Sequence, residues 1–179
     1  MPIGEPLETL EFSVLGEPSP EGSTRAYYIK KINKTVVTHS NQGSLEAWRN
    51  RVATEAQRAL EESCWIADSS SAYALDVDFY LTRPASVQPH KRLHPIVKPD
   101  LDKFIRAIND ALTGILFADD CQVIALNITK TYDDNLRPGA HIKAYRYANT
   151  TAKPKKIKKE EVELGPLDEF EEEYEDPRD

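Results

Sequence analysis

The chain has 179 residues, 40% of them apolar, and a formal charge of −7, enough for one domain with a real core and an appendage. No apolar run approaches a membrane span, and the opening MPIGEPLETLEF lacks the charged-then-apolar pattern of a secretion signal, so a membrane partner is excluded from the expectation and the cytoplasm is the expected location. Cys64 and Cys121 form no CxxC pair, which argues against a zinc cluster or a disulfide framework and leaves both as expected small core residues.

The charge is unevenly placed. Residues 160–179 carry 11 acids and one arginine, which leaves 22 basic and 19 acidic residues elsewhere, a net of +3. Attraction between macromolecules acts domain by domain, so the mildly basic body keeps nucleic acid as a candidate partner.

In chain order, TLEFSVL alternates as a strand and runs into the Gly/Pro/Ser loop GEPSPEGSTR. AYYIKKINKTVVTHS reads as two short strands about a turn near Asn33. Ser44 is the expected cap of a helix in which Leu45, Trp48, Val52, Ala56, Ala59 and Leu60 form one apolar stripe, which makes Trp48 a core anchor. YALDVDFYLTRP is a half-buried strand with Leu75, Val77, Phe79 and Leu81 on one face and Asp76 and Asp78 on the solvated one. A proline-punctuated loop, 83–99, carries Arg83, His90, Lys91, Arg92, His94 and Lys98. The next helix buries Phe104, Ile105, Ile108, Ala111 and Leu112, with Gly114 as its stop. CQVIALNITKTY, with Ile124, Leu126 and Ile128 on one face, and AHIKAYRY, after an Arg137-Pro138-Gly139 turn, complete the pattern. The order β-ββ-α-β-α-β-β specifies an α/β (α+β) domain, a mixed β-sheet with two main helices, over residues 1–148. Residues 149–179, basic and then acidic with little core, are expected to be a flexible tail.

Acid concentrates at Asp100 and Asp102, at Asp110, and at Asp119-Asp120. The loop from Gly114 to Ala118 is short enough for the following strand to return beside the helix, and the expectation is that these carboxylates converge on one point. Carboxylates that close repel one another, a conflict that a divalent cation such as Mg²⁺ or Mn²⁺ resolves. The lysines and arginines around them suit a phosphate-bearing substrate. Spacing alone also fits a plainer role, with Asp100 or Asp102 capping the helix and Asp119-Asp120 in an ordinary loop. His90 and His94 have ligand-like spacing, but the flanking prolines favour a phosphate-contacting or solvated loop.

Taken together, KPDLDKFIRAINDALTG and FADDCQVIALNITK resemble the RusA family of Holliday junction resolvases. Lys98, Pro99, Asp100, Asp102, Asp110, Ala111, Leu112, Asp119, Asp120, Gln122 and Val123 match its pattern, and GEPSPEGSTR resembles its amino-terminal entry. The resemblance spans most of residues 10–147. It implies a Mg²⁺-dependent homodimer, phage-encoded and acting in a bacterial or phage-infected host cytoplasm, that nicks opposing strands of four-way DNA junctions in recombination and repair. The family's essential carboxylates fall on Asp100, Asp102 and Asp120, with Asp119 beside them as a further metal ligand. Two positions depart from the pattern: Lys103 stands where the family has Asn, and Arg106 where it has a catalytic Lys. Arginine keeps its charge and stabilises a developing phosphorane but donates a proton poorly. Helical spacing sets Arg106 between Asp102 and Asp110, so it is read either as a catalytic group or as a structural partner of these acids. Lys98 and Lys103 are the candidate helpers in proton transfer. Arg25, Lys91, Arg92, Lys98 and Lys130 are candidate DNA contacts. The departures also leave room for a junction-binding protein of weak or absent turnover.

Overall fold

The computed structural model describes residues 4–22, 24–39, 41–135 and 137–149, with the main chain alone for 24–27, 29 and 36–39. The expected tail from residue 150 onward and the side chain of Arg25 lie outside the described residues.

The alternation seen in the sequence becomes a four-stranded sheet. β1 (Glu8–Leu15), β4 (Ala72–Thr82), β5 (Val123–Asp133) and β6 (Gly139–Tyr147) lie in the order β1-β6-β4-β5, while β2 (Thr24–Ile29) and β3 (Lys34–His39) form a separate hairpin. Asn33 makes the hairpin's turn at φ 49°. β6 is antiparallel to both β1 and β4, and β4 is parallel to β5, so the sheet is mixed as expected. The β1–β6 seam closes tightly at Gly139, where an added Cβ would stand 2.2 Å from the Val14 carbonyl oxygen.

Two helices, α1 (Gln42–Glu61) and α2 (Leu101–Leu112), cover one face. The expected stripe of α1 is buried at Leu45, Trp48, Val52 and Ala56 and meets Phe104, Ile108 and Leu112 of α2 over Val14, Leu75, Val77, Phe79 and Ile142 of the sheet. The Phe79 and Phe104 rings pack 5.2 Å apart and seat α2 on the strand beneath it. Gly114 ends the helical segment at φ 77°, a conformation open to glycine without strain. The other sheet face bears polar side chains. There the Tyr145 hydroxyl donates to Asp76 at 2.8 Å, Thr129 donates to Asp78, and Ser13 and Glu11 hydrogen-bond the two nitrogens of His141 at 3.0 Å each. Burial, with Asp76 as acceptor, pushes the Tyr145 phenol up to about 12.

Two local expectations are corrected. Asn41, not Ser44, occupies the N-cap of α1; its amide donates to Ser19 Oγ and the Pro20 carbonyl, so the cap position serves the preceding loop. Cys64 and Cys121 are both exposed, because the connector after α1 and the turn before β5 fill the core with Trp65, Leu116 and Phe117 instead.

β4 begins from a knot built on Asp68. Its carboxylate accepts from the amides and hydroxyls of Ser70 and Ser71 at 2.6–2.8 Å and pairs with Arg146 at 3.2 Å. The Ser71 hydroxyl above all holds the carboxyl far below its ordinary value of 3.8. A depressed native pKa means stabilisation that is complete above the unfolded value and is lost as pH falls below it. Asp68→Asn is expected to cost about 1–3 kcal/mol at neutral pH, with the gap to wild type shrinking below pH 3.8. Urea midpoints at neutral and acid pH measure both effects.

Candidate active site

α2 carries the chain from the end of β4 to the beginning of β5, and that crossover decides where each carboxylate goes. Asp100 is the N-cap of α2, in extended conformation, yet its side chain makes no capping hydrogen bond; Asp102 lies in the first turn. Both are exposed. The Lys103 ammonium stands 4.0 Å from the Asp100 carboxylate. The plainer role of Asp100 as a helix cap is therefore not taken up, and its carboxylate stays open to solvent.

The entrance is held from two sides. Lys130 of β5 donates to the carbonyls of Val97 at 3.1 Å and Pro99 at 2.8 Å, fixing the last residues before Asp100. From the amino-terminal loop, the Glu21 amide donates to the Lys103 carbonyl at 2.9 Å. Beside the entrance lies a pocket of about 140 Å³, lined by Glu17, Pro18, Lys98, Pro99, Phe104 and Tyr132 among others. Lys91 and Lys98 are exposed here, as are His90 and His94, while Arg92 is half-buried with its guanidinium 5.5 Å from the Tyr132 ring. Lys130, expected to face DNA, spends its ammonium on the loop that carries Asp100.

Asp119 and Asp120 occupy the other end of α2. Asp119 caps a 3-10 turn, Asp120–Gln122: its carboxylate accepts from the Cys121 amide at 2.9 Å, and the Gln122 side chain accepts from the Asp119 amide at 3.0 Å. The neighbouring Cys121 thiol and amide hold Asp119 below its ordinary carboxylate value, and Asp119 in turn pushes that thiol up. Gln122 anchors the turn by donating to the carbonyls of Asp68 at 2.8 Å and Ser71 at 2.9 Å. Trp65 pins the preceding segment, donating from Nε1 to the Leu116 carbonyl at 2.9 Å.

A twelve-residue helix is roughly 18 Å long. The sheet gives an independent measure: Lys130, which touches Pro99, lies level with Phe79, whereas Val123, just after the Asp120 turn, lies level with Tyr73. Six strand residues span roughly 20 Å. Among the described residues no three His, Cys, Asp or Glu side chains group closely enough to hold one metal ion. The expectation that Asp100, Asp102 and Asp119-Asp120 converge within one chain is thus corrected. The short loop after Gly114 returns the chain beside the helix, but at the far end of it from Asp100. Within one chain, Asp100 and Asp102 at the helix entrance therefore stand apart from Asp119 and Asp120, and an ion there would meet at most two carboxylates with water and phosphate as its other ligands.

Arg106 is exposed and makes no ion pair with Asp102 or Asp110 among the described residues. Asp110 is taken by Arg49 of α1, which also binds Glu21 at 2.5 Å. That bridge, joining the amino-terminal loop, α1 and α2, had no signal in the sequence. Gln122 did have one, since the D-x-x-Q spacing of Asp119 and Gln122 is that of a capping box.

The chain is similar in sequence to known proteins over most of its length. The family model for endodeoxyribonuclease RusA matches residues 17–145. An uncharacterized protein, YqaN, from Bacillus subtilis (strain 168) is 26% identical over 140 residues, covering 73% of this chain and 93% of its own length. The match runs from the amino-terminal loop that braces Lys103 through both ends of α2 to β6, and the chain belongs to the RusA family of endodeoxyribonucleases.

Proposed function

We propose that the protein is a structure-selective endonuclease that hydrolyses phosphodiester bonds at four-way DNA junctions, with Mg²⁺ as its cofactor and Mn²⁺ as a substitute. The observation that carries this reading is the α2 entrance: two exposed carboxylates, Asp100 and Asp102, neither used as a cap, beside the cations of Lys98, Lys103 and Arg106. Cations so placed bind the backbone phosphates that flank a scissile bond, and fixed positive charge stabilises the extra negative charge of the transition state. Arg106 supplies that charge permanently but is a poor acid, so the leaving oxygen takes its proton from Lys98, Lys103 or water. Asp100 and Asp102 would hold the cation, with water and substrate phosphate completing its shell, and its chemistry would be to generate and orient the attacking hydroxide; Asp119 and Asp120 lie too far along α2 to join it within one chain. Lys91 and Arg92 extend the phosphate-binding surface along the loop before α2.

The test is a synthetic four-way junction incubated with the full chain in Mg²⁺ or Mn²⁺, beside a linear duplex of the same sequence. Wild type is expected to nick the junction and spare the duplex, and Asp102→Asn to lose at least about 10²-fold in rate while still binding. No nicking in either metal refutes the enzyme. Tight, metal-independent junction binding without nicks would instead establish the rival reading, a branched-DNA binding protein, for which Arg106 in place of the family's Lys is the motive.

Arg106 is tested separately. Replacement by Ala should slow nicking about 10²-fold, and replacement by Lys should recover much of the rate while steepening its dependence on pH. A rate untouched by Arg106→Ala removes this residue from the chemistry.

A further inference from the structure

The loop that leads into α2 exposes a cluster of apolar side chains. Leu93 is 69% exposed, Ile96 82% and Val97 46%, all within five residues. Apolar surface gathered in this way beside charged groups marks a place where something docks. Val97 also lines the 140 Å³ pocket at the entrance, with Pro18, Leu81, Pro84, Pro95 and Phe104 around it. An apolar cavity of about that size takes one aromatic ring. The Tyr132 hydroxyl, in the same wall, is buried without a hydrogen-bond partner among the described residues and is left to donate to an acceptor on whatever enters. Lys91, Lys98 and Arg106 stand exposed around this end of the molecule. Glu17, Asp100 and Asp102 offset part of their charge, so an acidic ligand held here needs an apolar anchor as well as its carboxylates.

The chain itself carries a segment of that chemistry. Residues 160–179 hold 11 acids, and Phe170 stands among Asp168, Glu169, Glu171, Glu172 and Glu173. We infer that this segment docks on the chain's own α2 entrance, with the Phe170 ring in the pocket and the flanking carboxylates toward Lys91, Lys98 and Arg106. DNA then has to displace it, a competition that rests on the nuclease reading above. The segment lies beyond the residues that the family model matches, 17–145. Reach permits the contact. β6 finishes at Tyr147, opposite Ala72, and Lys130 meets Pro99 at the level of Phe79, seven strand residues away, roughly 24 Å. Phe170 lies 23 residues past Tyr147, a length whose extended limit is roughly 75 Å. The order of charge agrees too. The stretch KPKKIKK, residues 153–159, has five lysines and follows the end of the sheet where Asp119 and Asp120 sit, so basic chain passes acidic surface before acidic chain reaches basic surface. Tethering keeps the segment at an effective concentration on the order of millimolar, so a contact of modest strength covers the entrance.

Replacing Phe170 by Ser leaves the net charge unchanged and separates docking from simple repulsion. In the full chain, with EDTA present so that no strand is cut, Phe170→Ser should tighten binding of a four-way junction about tenfold, as for a surface released from nine-tenths occupancy. Ile96→Ser should act in the same direction, and the two together should gain no more than the stronger alone, because both break one contact. Repulsion by the acids alone predicts no effect of either, and a measurable affinity left unchanged by Phe170→Ser overturns the proposal. The contact is read directly with the photocrosslinker p-benzoylphenylalanine in place of Phe170. Adducts are expected on residues 81–104, and excess junction should abolish them; adducts elsewhere, or none, also overturn the proposal. If those adducts form but neither wild type nor Phe170→Ser binds DNA, the docked segment stands and the nuclease reading fails.

Discussion

A helix that joins two parallel neighbouring strands must travel the length of both, because the first strand finishes at one end of the sheet and the second starts at the other. That requirement governs this molecule. β4 delivers the chain to the Asp100 entrance, α2 carries it back, and the Asp119 turn launches β5 at the far end. No adjustment of loop residues can bring the two acidic segments together without dismantling the parallel pair. The core enforces the same result, since Phe104, Ile108 and Leu112 bury along the whole helix and hold it flat on the sheet.

The remaining polar framework serves to fix the two ends of that crossover. Lys130 grips the carbonyls before Asp100, and Arg49 clamps the amino-terminal loop to Asp110. At the other end, Gln122 ties the Asp119 turn to the Asp68 knot, where Arg146 also arrives from β6. None of these side chains touches the open carboxylates of Asp100 and Asp102. They hold backbone, and backbone position is what a site of exposed acids needs from its surroundings.

Much of this was legible in the sequence because periodicity reports burial directly. The α2 stripe, the Leu75–Leu81 alternation and the order of elements are all consequences of which side chains avoid water. Chain-local signals were less secure: Ser44 had the composition of a cap, but the helical backbone already starts at Gln42, and Asn41 before it turns its amide to the preceding loop. Cys64 and Cys121 looked like core residues by type, yet Trp65 and Phe117 filled the available space. Leu126 pairs with Leu75 and Ile128 with Val77, but a register shift at the start of β5 puts Val123 rather than Ile124 against the core, and the exposure of Leu126 arises from strand order, which alternation does not encode. The meeting of the carboxylates failed for the same reason. Proximity in sequence and a short return loop say nothing about which end of a helix the return reaches.

Both helices lie on the same side of the sheet, leaving the reverse side to polar side chains. Backed by helices on one side only, the sheet buries its apolar side chains once, and the Tyr145–Asp76 and His141–Glu11 contacts let the opposite surface stand in water without a second layer.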